Sequence, residues 1–135
     1  MRQSVRVLDV GNCDPDHGSI LRLLTENFAV EVDRVMFVPE ALSALKSRPY
    51  ALVLVNRQIF ADGSPGLPLV TAMQQDPTLR ATPVMVVSNF ADAQAAAVAA
   101  GARPGFGKAA LQPAETRSRL AEFLPARADA PASPH

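Results

Sequence analysis

The chain has 135 residues and is poor in several things that would mark a class of function. It has one cysteine, Cys13, which excludes an internal disulfide framework and fits a reducing cytoplasm. It has no charge excess, since 13 basic and 13 acidic residues cancel. No basic run is present, so the electrostatic footprint of a nucleic-acid or anionic-membrane binder is missing. No apolar run approaches the length that spans a bilayer. Met1 to Ser4 carries no signal-peptide pattern and leads straight into a candidate strand. Gly11 and Gly18 do not make a phosphate-cradling fingerprint. No internal repeat is visible.

What is present is alternation. Tyr50 to Asn56 contains the continuous apolar run Ala51-Leu52-Val53-Leu54-Val55, bounded by Arg48-Pro49 and a Gly/Pro-rich loop, Arg57 to Gly66. Such runs belong to parallel strands covered on both faces. Pro83 to Ser88 reads the same way, and Val5 to Val10 reads as a first strand despite Arg6 and Asp9. Val30 to Met36 alternates as an edge strand does. Gly105 to Gly107, ending at Lys108, predicts a short fifth strand.

Helical segments fall between them. Asp14-Pro15-Asp16 opens the first, with Asp14 as N-cap, Pro15 at the first position and Asp16 complementing the dipole. Pro39 to Lys46 and Gly66 to Gln75 predict the second and third. The Ala-rich segment Phe90 to Ala100 predicts a fourth, capped by Ser88 or Asn89 and ended by Gly101. Pro113 to Leu124 predicts the last. Residues 1–124 are therefore expected to form one domain, and the Ala/Pro-rich residues 125–135 a disordered tail. Five strand–helix alternations predict a three-layer, doubly wound α/β domain of flavodoxin-like (βα)5 type, with a parallel sheet in order 2-1-3-4-5. The site of such a sheet lies at the carboxyl ends of strands 1 and 3. Asn56, the first polar residue after the central run, is expected at its mouth.

In order and spacing, these segments resemble the receiver domain of bacterial two-component response regulators. The resemblance runs from Val5 to Leu124. It rests on Asp14-Pro15-Asp16, Glu40-Ala41-Leu42, Leu52-Val53-Leu54-Val55, Asp62-Gly63 to Gly66-Leu67, Pro83 to Ser88, and Gly101-Ala102 to Lys108. Receivers move a phosphoryl group onto an aspartate at the end of strand 3, with an acid pair for Mg²⁺, a Ser or Thr after strand 4 and a Lys after strand 5. Ser88 and Lys108 match those last two positions. Asn56 stands at the acceptor position, and Asn12 and Cys13 stand where the acid pair belongs. Phe60, Ala109 and Gly105 replace the usual loop proline, the proline after the lysine and the aromatic switch residue. With Ala109, the peptide after Lys108 is expected to be trans.

An amide nitrogen is no nucleophile toward phosphorus. Magnesium prefers carboxylate oxygens to neutral amides and a thiol. The resemblance therefore implies a pseudo-receiver: no catalysis, no metal, no cofactor, and action through a protein partner (a kinase, a regulator or a second copy). The face of the fourth helix, fifth strand and fifth helix is the usual receiver partner or dimer surface; here it offers Gln94, Val98, Arg103, Glu115, Arg119 and Glu122. Lys108, without an acid at the matching positions, is expected to bond the Asn56 oxygen or Asp14. Cys13 is expected to fill space and His17 to be solvated. Asp9 should pair with Arg6 or another neighbour. Two other readings remain open: a flavin- or small-ligand-binding flavodoxin-like protein, and a phosphate-accepting receiver with relocated acids at Asp14 and Asp62.

Overall fold

The structure is a computed structural model and describes residues 4–109 and 114–127. Five strands alternate with five helices: β1 (Val5–Val10), α1 (Asp14–Asn27), β2 (Val30–Val35), α2 (Val38–Ser47), β3 (Leu52–Asn56), α3 (Leu67–Gln75), β4 (Val84–Val87), α4 (Ala91–Ala99), β5 (Arg103–Phe106) and α5 (Ala114–Ala121). The strands form one sheet in order β2-β1-β3-β4-β5. Every pairing is parallel. No described helix is long and apolar enough to cross a membrane.

The pleat sorts side chains into two cores. Leu8, Val10, Val53, Val55, Val84 and Val86 face one side and meet Ala41, Leu45, Leu69, Met73 and Ala97 of α2, α3 and α4. Val7, Leu52, Leu54, Met85 and Val87 face the other and meet Ile20, Leu24 and Leu120 of α1 and α5. Burial on both faces favours apolar residues at successive positions, which is why β3 and β4 read as nearly continuous apolar runs.

Several boundaries differ from expectation for local reasons. β3 begins at Leu52 and not Tyr50; the Tyr50 hydroxyl instead donates to Asp33 Oδ2 at 2.7 Å. β5 spans Arg103 to Phe106, since at a sheet edge Pro104 interrupts no ladder. Cys13, not Asp14, is the N-cap of α1, and Phe90, not Ser88 or Asn89, is that of α4. The Ser88 hydroxyl still accepts the Phe90 N–H at 3.1 Å. Gly101 follows α4 with φ 113°, as a left-handed terminator should. The expected start of the last helix at Pro113 lies outside the described residues. No cis peptide occurs among those described.

The chain stays docked past Leu124, where the domain was expected to end. Ala29 N–H donates to the Pro125 carbonyl at 2.8 Å, and Ala126 bridges to Phe28. Arg127 N–H donates to the Asn27 carbonyl at 3.3 Å, and residues 128–135 of the expected tail lie outside the described residues.

Tyr50 supplies a pH test of the packing. Burial, then the Asp33 carboxylate beside it, pushes the phenol up to about 12 from its ordinary 10. A group raised on folding stabilises below its unfolded value and loses that contribution as pH climbs through its folded value. Stability should therefore fall between about pH 10 and 12. Tyr50→Phe should lose about 1–2 kcal/mol at pH 8 and shed this extra alkaline slope. Urea denaturation at pH 8 and pH 11 checks it; parallel pH dependence in both proteins would contradict it.

Candidate functional site

The carboxyl ends of β1, β3 and β4 meet the turns that follow them. Gly11 leaves β1 with φ 75°, a left-handed bend, and an added Cβ would lie 2.5 Å from Ile59 Cδ1. Its carbonyl accepts two bonds, from Asn56 Nδ2 at 3.1 Å and from Phe60 N–H at 2.9 Å. Asn56 is 7% exposed. Its amide therefore ties the tip of β3 to the end of β1. A carboxylate could not make this bond, because it has no proton to give.

Beneath this tie lies a cluster that the sequence reading did not assemble. Asp9 is fully buried. Its Oδ1 accepts Asn12 Nδ2 at 2.6 Å, and its Oδ2 meets His17 Nδ1 at 2.5 Å. Asn12 is also fully buried, and its Oδ1 has no partner. Arg34 donates to the Asn12 carbonyl at 2.9 Å and pairs with Asp14 at 2.7 Å. His17 is thus not solvated as expected, and Asp9 takes His17 and Asn12 while Arg6 turns to Asp33 at 3.1 Å.

Lys108 also departs from expectation. Its Nζ lies 2.7 Å from Asp16 Oδ2, so neither Asn56 nor Asp14 is its ion-pair partner. Burial works to raise the Asp16 carboxyl, but bonds from Lys108 and the Cys13 thiol hold it below the ordinary range. Asp16 lies in the first turn of α1 and reaches Lys108 in the loop after β5. Asp62 is spent locally: it accepts Ser64 N–H at 2.9 Å and Ser64 Oγ–H at 2.6 Å in a loop turn. Neither relocated acid, Asp14 or Asp62, points to the tip of β3 through any bond described.

The pair gives a second test. Lys108→Ala should cost no more than about 1 kcal/mol, since both ends are partly solvated. The Asp16 contribution is present above the ordinary carboxylate range and is lost as pH falls through its depressed value. The variant should lose the part of that acid-side dependence that Lys108 supplies, and its amide shifts should centre on Cys13 and Asp16. Shifts centred on Asn56 instead would contradict the pairing.

Above these groups opens a hollow of about 400 Å³. Asn56, Arg57, Phe60, Ser88, Phe90 and Lys108 are among its walls. It gathers the three receiver-matching positions at 56, 88 and 108 and leaves Asn12 and Cys13 to one side. A magnesium ion does not fit this donor set. Asn12 offers one neutral oxygen, Cys13 a thiol, and Asp16 a carboxylate already held by Lys108. Among the described residues no group of three or more His, Cys, Asp or Glu side chains is placed to hold a metal.

The expected interaction face is partly committed to structure. Gln94 is half-buried: its Nε2 donates to Val86 O at 2.8 Å and its Oε1 accepts Gly105 N–H at 3.0 Å, clamping β4 to β5. Arg119 bonds the Gly105 carbonyl and pairs with Glu115 at 2.6 Å. Arg103 lies over the Phe123 ring, while Val98 and Glu122 are exposed.

No protein-family model and no curated protein matches the chain. Solved structures do. A chain described as a response regulator from Chloroflexus aurantiacus J-10-fl superposes with a TM-score of 0.78 at 21% identity, over 90% of this chain and 98% of that one. The signal receiver domain of an HD domain-containing protein from Pseudomonas fluorescens Pf-5 gives 0.71 at 18% identity, over 90% and 94%. The chemotaxis response regulator CheY4 of Vibrio cholerae gives 0.70 at 16% identity, over 90% and 100%. With the strand order and both cores already described, the chain has the fold of response-regulator receiver domains.

Proposed function

We propose that the chain is a receiver-like protein of two-component-type signalling that is not phosphorylated and works by binding a protein partner. One observation carries this: the residue at the tip of β3 is Asn56, and its amide is bonded to the Gly11 carbonyl where a nucleophilic carboxylate would have to stand. The other positions support it. Asn12 is locked onto Asp9, and Lys108 is occupied by Asp16. The reading with relocated acids is weakened because Asp14 is held by Arg34 and Asp62 by Ser64. The protein is then no enzyme. It is a cytoplasmic scaffold that recognises a kinase, a regulator or a second copy of itself. Val98, Arg103 and Glu122 keep the α4–β5–α5 face open to such contacts, a homodimer included.

Titration of the ¹⁵N-labelled protein with Mg²⁺ and beryllium fluoride, a phosphoryl mimic, tests the reading by NMR. No saturable shift is expected at residues 56, 88 and 108. Saturation there would overturn it.

A further inference from the structure

We propose that the hollow at the ends of β3 and β4 is a docking site for an acidic segment of a partner protein, one that carries a carboxylate beside an apolar side chain. This rests on the phosphorylation-independent reading, because a phosphoryl group on residue 56 would occupy the same space.

Two observations point to the ligand independently. The first is aromatic exposure. Phe60 is 65% exposed and Phe90 56% exposed, and both stand on the rim of one hollow. They come from different loops, after β3 and after β4. Two largely exposed rings lining one depression are the apolar half of a contact surface. Aromatic and arginine side chains are also what the centres of protein interfaces are enriched in.

The second is an imbalance of donors over acceptors. No Asp or Glu lines the hollow among the described residues. Arg57 lies 4.9 Å over the Phe90 ring and has no carboxylate partner among those residues. Lys108 has Asp16, so the uncompensated charge is that of Arg57. The Ser88 hydroxyl accepts from Phe90 N–H and keeps its own proton to give. A guanidinium and a hydroxyl beside an aromatic ring suit a carboxylate, which accepts charge-assisted bonds. Both rings are exposed and line the same hollow, so the occupant that covers both is an extended segment and not a small free acid.

The test uses the full ¹⁵N-labelled chain and a defined probe, N-acetyl-Asp-Phe-Leu-amide, followed by NMR. Saturable shifts are expected at 57, 60, 88, 90 and 108. The matched Asn-Phe-Leu probe should bind about tenfold more weakly. Arg57→Ala should lose about tenfold and Phe60→Ala a similar amount, both at exposed positions that do not disturb folding. Val98→Arg, on α4, should change nothing. The proposal is overturned by no saturation at about 10 mM probe, by equal affinity for the two probes, or by shifts that map to α4. Benzoate binding as tightly as the tripeptide would make the hollow a small-anion site and would also overturn it. If the probe fails and the protein still takes no phosphoryl group, the function proposed above stands and its contact surface lies elsewhere. A phosphoryl adduct removes both.

Discussion

Asn12→Asp, the change that restores one acid at the family's metal-binding positions, should destabilise the protein by about 3–5 kcal/mol at pH 7. The reason is Asp9. Asn12 Nδ2 lies 2.6 Å from Asp9 Oδ1, and both residues are fully buried. Replacing the amide by a carboxylate turns a charge-assisted bond into two like charges in contact. Both cannot stay ionised there, so one carboxyl must take a proton on folding and its value rises above the unfolded one, about 3.9. A raised group contributes stability below its unfolded value and loses it as pH rises through the folded value. The variant should thus approach the parent near pH 4 and fall away toward neutrality, as denaturation at several pH values would reveal. The double change Asp9→Asn with Asn12→Asp should recover part of the loss, because one donor again faces one carboxylate. Equal stability of Asn12→Asp and parent at pH 7 would contradict the cluster. The amide at position 12 is therefore tied to the buried acid below it. Reverting it alone cannot rebuild a metal site.

Gly66→Ala should lower stability by about 3 kcal/mol or more and the melting temperature by on the order of 10 °C. Its Cβ would lie 2.0 Å from the Asn56 carbonyl oxygen and 3.0 Å from Val55 Cγ2. The φ of Gly66 is −84°, which any residue adopts, so the cost is collision and not conformation. The obstacle is backbone and cannot swing aside. Gly66 N–H also bonds the Arg57 carbonyl at 2.8 Å, so the loop after β3 folds back on the strand that holds Asn56. Displacement of Asn56 and loss of its bond to Gly11 should follow. Gly18→Ala is the control: nothing lies within 4 Å of its Cβ, and it sits inside α1. It should stabilise by about 0.5–1 kcal/mol. Paired melting curves check both; similar small effects would mean that the loop does not pack as described.

The sheet was legible because burial on both faces leaves a plain signature. Val53 to Val55 and Val84 to Val87 have no polar residue to mislead. The expected strand order, the commonest for five strands joined by right-handed crossovers, is the one found. The altered positions, Asn12, Cys13 and Asn56, and the retained ones, Ser88 and Lys108, could be named only through the resemblance to receiver domains. What stayed hidden was pairing across elements. Asp16 reads as a helix-dipole residue, and only the tertiary fold brings the first turn of α1 to Lys108 in the loop after β5. His17 reads as a first-turn surface residue, yet it lies one strand-to-helix turn from Asp9. The one signal available was Asp9 itself, an acid in a buried strand that had to find partners. Gln94 reads as surface, but Gly105 lacks a side chain and lets the amide reach across to the backbone of β4 and β5. Phe60 and Phe90 lie thirty positions apart in sequence and meet only at the hollow.

The most direct measurement is the intact mass of the protein after incubation with acetyl phosphate and Mg²⁺. With Asn56 at the tip of β3, the mass should be unchanged. An added phosphate that hydroxylamine removes would reveal an acyl phosphate, and the account of this site would then be wrong.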